Sequence, residues 1–190
     1  YPMNALVLLA GCGLGDGSCV VEVILTYTVL DKYGHSYAIA AVDMDVPSVD
    51  HRTEAPGPER NVLTESARIG RGRIQELSAL DLEPFDALLL PGGIGLISNY
   101  RHCPQVLSCL DHFLRRGKPI GAMCAGIDFL RMTIGRDLLL EEAAQLSPRG
   151  FCRDAAKNIY YTPAFRKSQS CYDVLLGIDG MVSAMASLRP

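Results

Sequence analysis

The chain has 190 residues, room for one α/β domain and little for a second. Apolar residues make up 48% and charged residues 21%, which excludes a disordered chain and points to a well-buried core. A net charge of −3 argues against nucleic-acid binding, and no apolar run reaches the ~18 residues a membrane span needs.

Tyr1, Pro2 and Met3 precede the first strand-like run, and this start resembles neither a signal peptide nor an Arg- and Ser-rich transit peptide. Residues 4–10 (NALVLLA) are short, continuous and apolar, and predict a buried strand. It stops at the glycine-rich turn 11–17 (GCGLGDG). Ser18 predicts the cap of a helix over 20–33 that ends at Gly34. A second strand is predicted over 37–42 (YAIAAV). Residues 43–60 form the longest irregular stretch and the expected mobile element, with a short strand placed near 46–49. Asn61 predicts the cap of a helix over 62–70.

Residues 87–90 (ALLL) predict another buried strand, closed by Pro91-Gly92-Gly93. An amphipathic helix follows over 104–116, with Val106, Leu107, Leu110, Phe113 and Leu114 on one side. Residues 118–123 predict a strand and 125–132 a helix. Residues 138–146 fit a short helix or a strand. A strand over 159–162 and a closing helix over 170–188 complete the chain. Strands alternating with helices predict a parallel sheet covered on both faces. No repeat or composition break divides residues 1–190, so a single domain is expected.

In such a sheet, ligands bind beyond the carboxyl ends of the strands. The turn 11–17 sits there but misses the G-x-G-x-x-G fingerprint: counted from Gly11 the sixth residue is Asp16, and counted from Gly13 it is Ser18. No nucleotide cofactor is expected. Seven cysteines, an odd number with no Cys-x-x-Cys pair, point to a reducing compartment with most thiols buried as small apolar side chains. No metal is expected, because no His, Cys and Asp residues share ligand spacing.

Cys124 stands apart from the other cysteines. A strand runs straight into Cys124-Ala125-Gly126 and then a helix, with small Ala122 and Gly126 two residues to either side. This is the spacing of a nucleophile elbow, in which a strained turn exposes the reactive side chain and only small neighbours avoid a clash. A helix N-terminus there is expected to favour a thiolate, and the Ala125 N–H to face a developing oxyanion. Taken alone, the pattern fits a buried structural cysteine equally well. Glu22 is isolated among apolar residues, and a carboxyl there must be paired, hydrogen-bonded or protonated unless it points outward to solvent. It follows the first glycine turn, so it is expected at the same sheet edge as Cys124. Gly93 offers a second oxyanion N–H. Gly92, Cys12, His102 and Thr162 are the remaining residues expected to line the site. No histidine follows Cys124.

With Glu22 in EVILTYTVLDKYG, PGG at 91–93 and MCAG at 123–126, the sequence resembles the PfpI superfamily on the class I glutamine amidotransferase-like fold. GCGLGDG at 11–17, RNVLTESARIGRG at 60–72, TIG at 133–135 and YTPAF at 161–165 are similar to its ElbB-like subgroup. The resemblance implies a flavodoxin-like, doubly wound, mainly parallel sheet with helices on both faces. It implies Cys124 as nucleophile, Glu22 as its carboxyl partner, and oxyanion donors at Gly93 and Ala125. It also implies a homodimer, and cofactor-independent conversion of glyoxal or methylglyoxal to a hydroxy acid. The chain departs from the pattern at Cys19, where an acidic residue is common, and in the short segment between Arg136 and Tyr161. The expected partner is thus a small aldehyde substrate, with neither nucleic acid nor membrane. Two alternatives stand beside this: a redox sensor acting through an oxidisable Cys124, and a glutamine amidotransferase-like subunit. The expected location is the cytoplasm, or a mitochondrion if a presequence has been removed.

Overall fold

The computed structural model describes residues 2–188. Its centre is a seven-stranded sheet. The strands are β1 (Asn4–Leu8), β2 (Ser36–Ala41), β5 (Gln75–Glu76), β6 (Ala87–Leu90), β7 (Ile120–Met123), β8 (Cys152–Asp154) and β9 (Ile159–Thr162), in the order β5-β2-β1-β6-β7-β9-β8. All neighbours pair in parallel except β8, which runs antiparallel to β9. Two further short strands, β3 (Asp45–Val46) and β4 (Arg60–Asn61), pair with each other. The helices are α1 (Val20–Lys32), α2 (Val62–Ile69), α3 (Gly95–Tyr100), α4 (Pro104–Arg115), α5 (Gly126–Thr133), α6 (Leu140–Ala144) and α7 (Cys171–Ser187).

Alternating side chains on each strand feed two separate cores, as the pleat requires. Ala5, Val7, Leu89, Met123 and Tyr160 pack against Val23 and Leu30 of α1 and Ile178, Met181 and Val182 of α7. Leu6, Leu8, Leu88, Leu90, Ala122 and Tyr161 pack on the other face against α3, α4 and α5. This is the doubly wound, flavodoxin-like fold. The strand order reverses between β1 and β6, which puts the turns after both strands at the crevice where such sheets bind ligands.

Several local expectations hold. Asn61 caps α2, its Oδ1 accepting from the Thr64 N–H at 2.9 Å. Ser170 caps α7 through Asp173 N–H. The ambiguous segment 138–146 contains helix α6. Other details differ. Cys19, not Ser18, is the N-cap of α1, because the Ser18 hydroxyl is engaged by the Ala10 N–H at 2.8 Å. Leu107, expected on the buried side of α4, is 37% exposed, and Cys109 takes the inward position. Residues 43–60 are internally tied: β3 pairs with β4, the Gly57 N–H reaches Ser48 O at 2.8 Å, and the Val49 N–H reaches Asp16 Oδ2 at 2.9 Å.

Candidate active site

Cys124 follows β7 directly and has a φ of 48°, the left-handed region that a cysteine adopts only under constraint. The constraint is visible. Its N–H donates to Thr162 O at 3.1 Å, and the Tyr161 hydroxyl donates to its carbonyl at 3.1 Å. Both partners lie on the neighbouring β9, so the elbow is braced from the side as well as along the chain.

Glu22 lies in the first turn of α1 and is fully buried. Its Oε1 accepts from the Gly92 N–H at 2.8 Å. A Cβ placed on Gly92 would come within 2.7 Å of Glu22 Oε1, 2.7 Å of Met123 O and 3.0 Å of Cys124 Cβ. Glycine is therefore required at 92, because the Glu22 carboxyl, the Met123 carbonyl and the Cys124 Cβ all crowd that point. Gly93 has a φ of 118°, and a Cβ there would lie 2.2 Å from Gly17 O, so the turns after β1 and β6 are in backbone contact. The Cys19 N–H to Gly92 O bond of 2.7 Å closes the same junction.

The carboxyl is under electrostatic tension. Burial raises the Glu22 pKa to about 7, against the pull of the Gly92 N–H, the Cys19 thiol and the Arg166 guanidinium. Its Oε2 is buried, and although the Cys19 thiol lies beside the carboxyl, no donor meets that oxygen with hydrogen-bond geometry. Cys19 in turn is pushed up to about 12, chiefly by burial and then by the Glu22 charge. Burial also raises the Cys124 thiol above its ordinary range, and the Glu22 charge adds to this. Arg166 and the backbone N–H groups of Ala125 and Arg166 oppose it. The expectation of a thiolate stabilised by the helix N-terminus is thus corrected. Helix α5 begins only at Gly126, and loss of water outweighs the donors.

The residues read from the sequence separate into two groups. Cys124, Glu22, Gly92 and Ala125 meet in one place, and Gly93 adjoins them with its N–H bonded to no group among the described residues. Thr162 contributes through its backbone, since its buried hydroxyl donates to Gly150 O at 2.8 Å. Cys12 stands elsewhere. Its charged neighbours are Glu65, Arg68 and Asp16, and it lines a small crevice with Val46, Arg60 and Val62. His102 is exposed in the turn between α3 and α4 and meets none of the site residues. The histidine that reaches this sheet edge is His51, whose Nε2 accepts from the Gly15 N–H at 3.0 Å. Asn99 was also unread: its amide holds Ala10 O and Asp16 O, each at 3.0 Å, and braces the first glycine turn. Arg166 was missed too, although it directly follows the YTPAF segment.

A strained thiol, a buried carboxyl and the unbonded Gly93 N–H form one constellation, and the chain carrying it can be compared with known proteins. Residues 8–134 match the model of the DJ-1/PfpI family. The chain belongs to that family. It is similar to the human glutamine amidotransferase-like class 1 domain-containing protein 3, mitochondrial, at 37% identity over 131 residues, covering 62% of this chain and 49% of that protein. The chain thus spans about half the length of this curated relative. Among solved structures it resembles the isoprenoid biosynthesis protein with amidotransferase-like domain from Ehrlichia chaffeensis. The TM-score is 0.90 with 28% identity, covering 98% of this chain and all (100%) of that one. Drosophila melanogaster DJ-1beta shares the fold, with a TM-score of 0.55 and 17% identity over 98% of this chain and 97% of that one. The likeness to the Ehrlichia protein agrees with the ElbB-like features of the family member described here.

Proposed function

We propose that the chain is a cysteine-dependent, cofactor-independent glyoxalase-type enzyme that converts small 2-oxoaldehydes to hydroxy acids. The observation that carries this reading is the convergence of Glu22 and Cys124 on Gly92, with no histidine among the partners of the thiol. A carboxyl with a pKa of about 7 can both take and return a proton at neutral pH. Glu22 accepts the thiol proton as Cys124 sulfur adds to the aldehyde carbon, giving a hemithioacetal whose oxyanion faces the Ala125 and Gly93 N–H groups. Glu22 hands that proton to the hemithioacetal oxygen, and the freed carboxylate then takes the C1 proton and returns it to C2 as the hydroxyl proton passes to the C2 oxygen, leaving a thioester. Water then hydrolyses the thioester, releasing the hydroxy acid and restoring the thiol. Incubation with methylglyoxal is expected to yield lactate, and a wild-type chain that forms none overturns the reading.

A glutamine amidotransferase-like activity would need a histidine base at the thiol. None of the four histidines hydrogen-bonds Cys124. A redox-sensing role finds less support in a thiol whose pKa is raised by burial. The human relative's mitochondrial designation favours a mitochondrial location over a cytoplasmic one. Neither a nucleic acid nor a membrane is proposed as a partner.

A homodimer is part of the proposal. Leu14, Val20, Val21, Ile24 and Ile94 are 54%, 40%, 38%, 45% and 44% exposed. Leu14 and Ile94 stand on segments joined where the Ile94 N–H donates to Leu14 O at 2.8 Å, and α1, which carries Val20, Val21 and Ile24, starts beside that junction where the Cys19 N–H donates to Gly92 O at 2.7 Å. Apolar side chains grouped in this way suit a second copy of the same surface. Light scattering is expected to show a dimer that the double change Val21→Glu, Ile24→Asp converts to a monomer. A monomeric wild-type chain overturns this part.

A further inference from the structure

Among the described residues, Arg166 is the one cation whose charge acts on both Cys124 and Glu22. It is delivered there by the turn after β9. Ala164 adopts a φ of 50°, and the Arg166 N–H closes the turn on Pro163 O at 3.0 Å. One guanidinium nitrogen, Nη2, is paired with Asp128. The Nε and Nη1 donors are bonded to no group among the described residues, and the side chain is 40% exposed. Arg166 and Tyr161 both line a cavity of about 180 Å³, and the Tyr161 hydroxyl ties its wall to the elbow at Cys124 O, 3.1 Å away. Arg131 and Lys167 line the same cavity, their polar ends tied to backbone carbonyls: Arg131 to Leu138 and Leu139, Lys167 to Ala143, Ala144 and Leu146. The cavity, whose Tyr161 wall meets the elbow at the Cys124 carbonyl, is therefore lined by three cations, of which Arg166 alone is matched by a carboxylate bond, and that bond leaves part of its donor fork free.

We propose that Arg166 is a specificity-determining residue that selects 2-oxoaldehydes bearing a carboxylate at the end remote from the aldehyde, held between its free donors and the Arg131–Lys167 wall. This rests on the glyoxalase-type reading for the reaction, but the anion selection itself belongs to the cavity. A planar guanidinium suits a carboxylate because parallel N–H donors meet both oxygens, and one such charge-assisted bond is worth enough to shift selection by roughly tenfold or more. Asp128 holds the guanidinium in place, so little side-chain freedom is lost when the substrate arrives.

Two measurements on the full chain decide this. Turnover of 4,5-dioxovalerate, a 2-oxoaldehyde with a carboxylate, is compared with that of neutral methylglyoxal. In the wild type kcat/KM is expected to favour the anionic substrate, and Arg166→Gln is expected to lower that preference by roughly tenfold. An unchanged preference overturns the proposal. The second readout needs no turnover. Alkylation of Cys124 by iodoacetate and by iodoacetamide is followed by peptide mass, and the rate ratio is taken. Any effect of Arg166 on the thiol pKa acts on both reagents and cancels. Arg166→Gln is expected to lower the iodoacetate-to-iodoacetamide ratio several-fold, whereas Arg166→Lys, which keeps the charge, retains most of it. A ratio that is the same in all three chains overturns the proposal. If the wild type turns over neither oxoaldehyde, the glyoxalase-type reading fails while the alkylation ratio still decides whether Arg166 selects anions.

Discussion

Replacing Cys124 with alanine is expected to lower kcat/KM for methylglyoxal by roughly a thousandfold or more, the scale on which removal of a covalent nucleophile acts. The fold is expected to survive. The side chain is only half-buried, and the elbow is held by backbone bonds to β9 that alanine keeps: Cys124 N–H to Thr162 O and the Tyr161 hydroxyl to Cys124 O. Thermal unfolding should therefore shift little while activity is lost. Cys124→Ser is expected to be nearly as inactive, because a carboxyl with a pKa of about 7 can pair with a thiol but is a poor base for an alcohol. An alanine variant that retains activity within tenfold of the wild type would mean that another group carries the reaction. The pH profile adds a second reading. Wild-type kcat/KM is expected to rise as pH passes through about 7, since Glu22 must be ionised to accept the thiol proton.

The parts of this site that local sequence revealed are those fixed by local sterics. Ala122 and Gly126 around Cys124 announced a tight strand-to-helix turn, and the lone Glu22 in an apolar helix announced a carboxyl with special surroundings. The continuous apolar runs of β1 and β6 gave buried parallel strands, and Asn61 gave the start of α2. What stayed hidden depends on contacts between distant segments. The hydroxyl of Ser18 has a good capping chemistry, but the Ala10 N–H across the glycine turn engages it first. β8 is a three-residue, half-buried edge strand with Arg and Asp in it, so it carries no apolar signature. His51 reaches the first turn only because residues 43–60 fold back on themselves, and that loop reads as irregular. Arg166 is an ordinary polar residue until the left-handed Ala164 swings it towards Cys124. His102 misled by proximity in sequence to Gly93, since α3 carries the chain away from the turn before that residue is reached.

Glu22→Gln is expected to make the protein more stable at alkaline pH while removing its proton relay. The wild-type carboxyl has a folded pKa of about 7 against an ordinary value of 4.5, so between those limits the folded state holds more protons than the unfolded state. Stability then falls as pH rises through this window, and the loss is complete above about pH 7. The difference corresponds to roughly 3 kcal/mol for a fully buried group. Glutamine has the same shape, can still accept from the Gly92 N–H through its carbonyl, and never ionises. At pH 5 the two chains should melt together. At pH 8 the variant should melt higher, by roughly 6–12 °C for a chain of this size. Equal melting temperatures at both pH values would show that Glu22 carries no burial strain. The gain in stability and the loss of turnover have one cause. Burial of the carboxylate, with one oxygen that no hydrogen-bond donor meets, outweighs the pull of the Gly92 N–H, the Cys19 thiol and Arg166 and keeps the group basic. The wild type has therefore lost this stability by about pH 7, where its folded carboxyl is half ionised and its base becomes available.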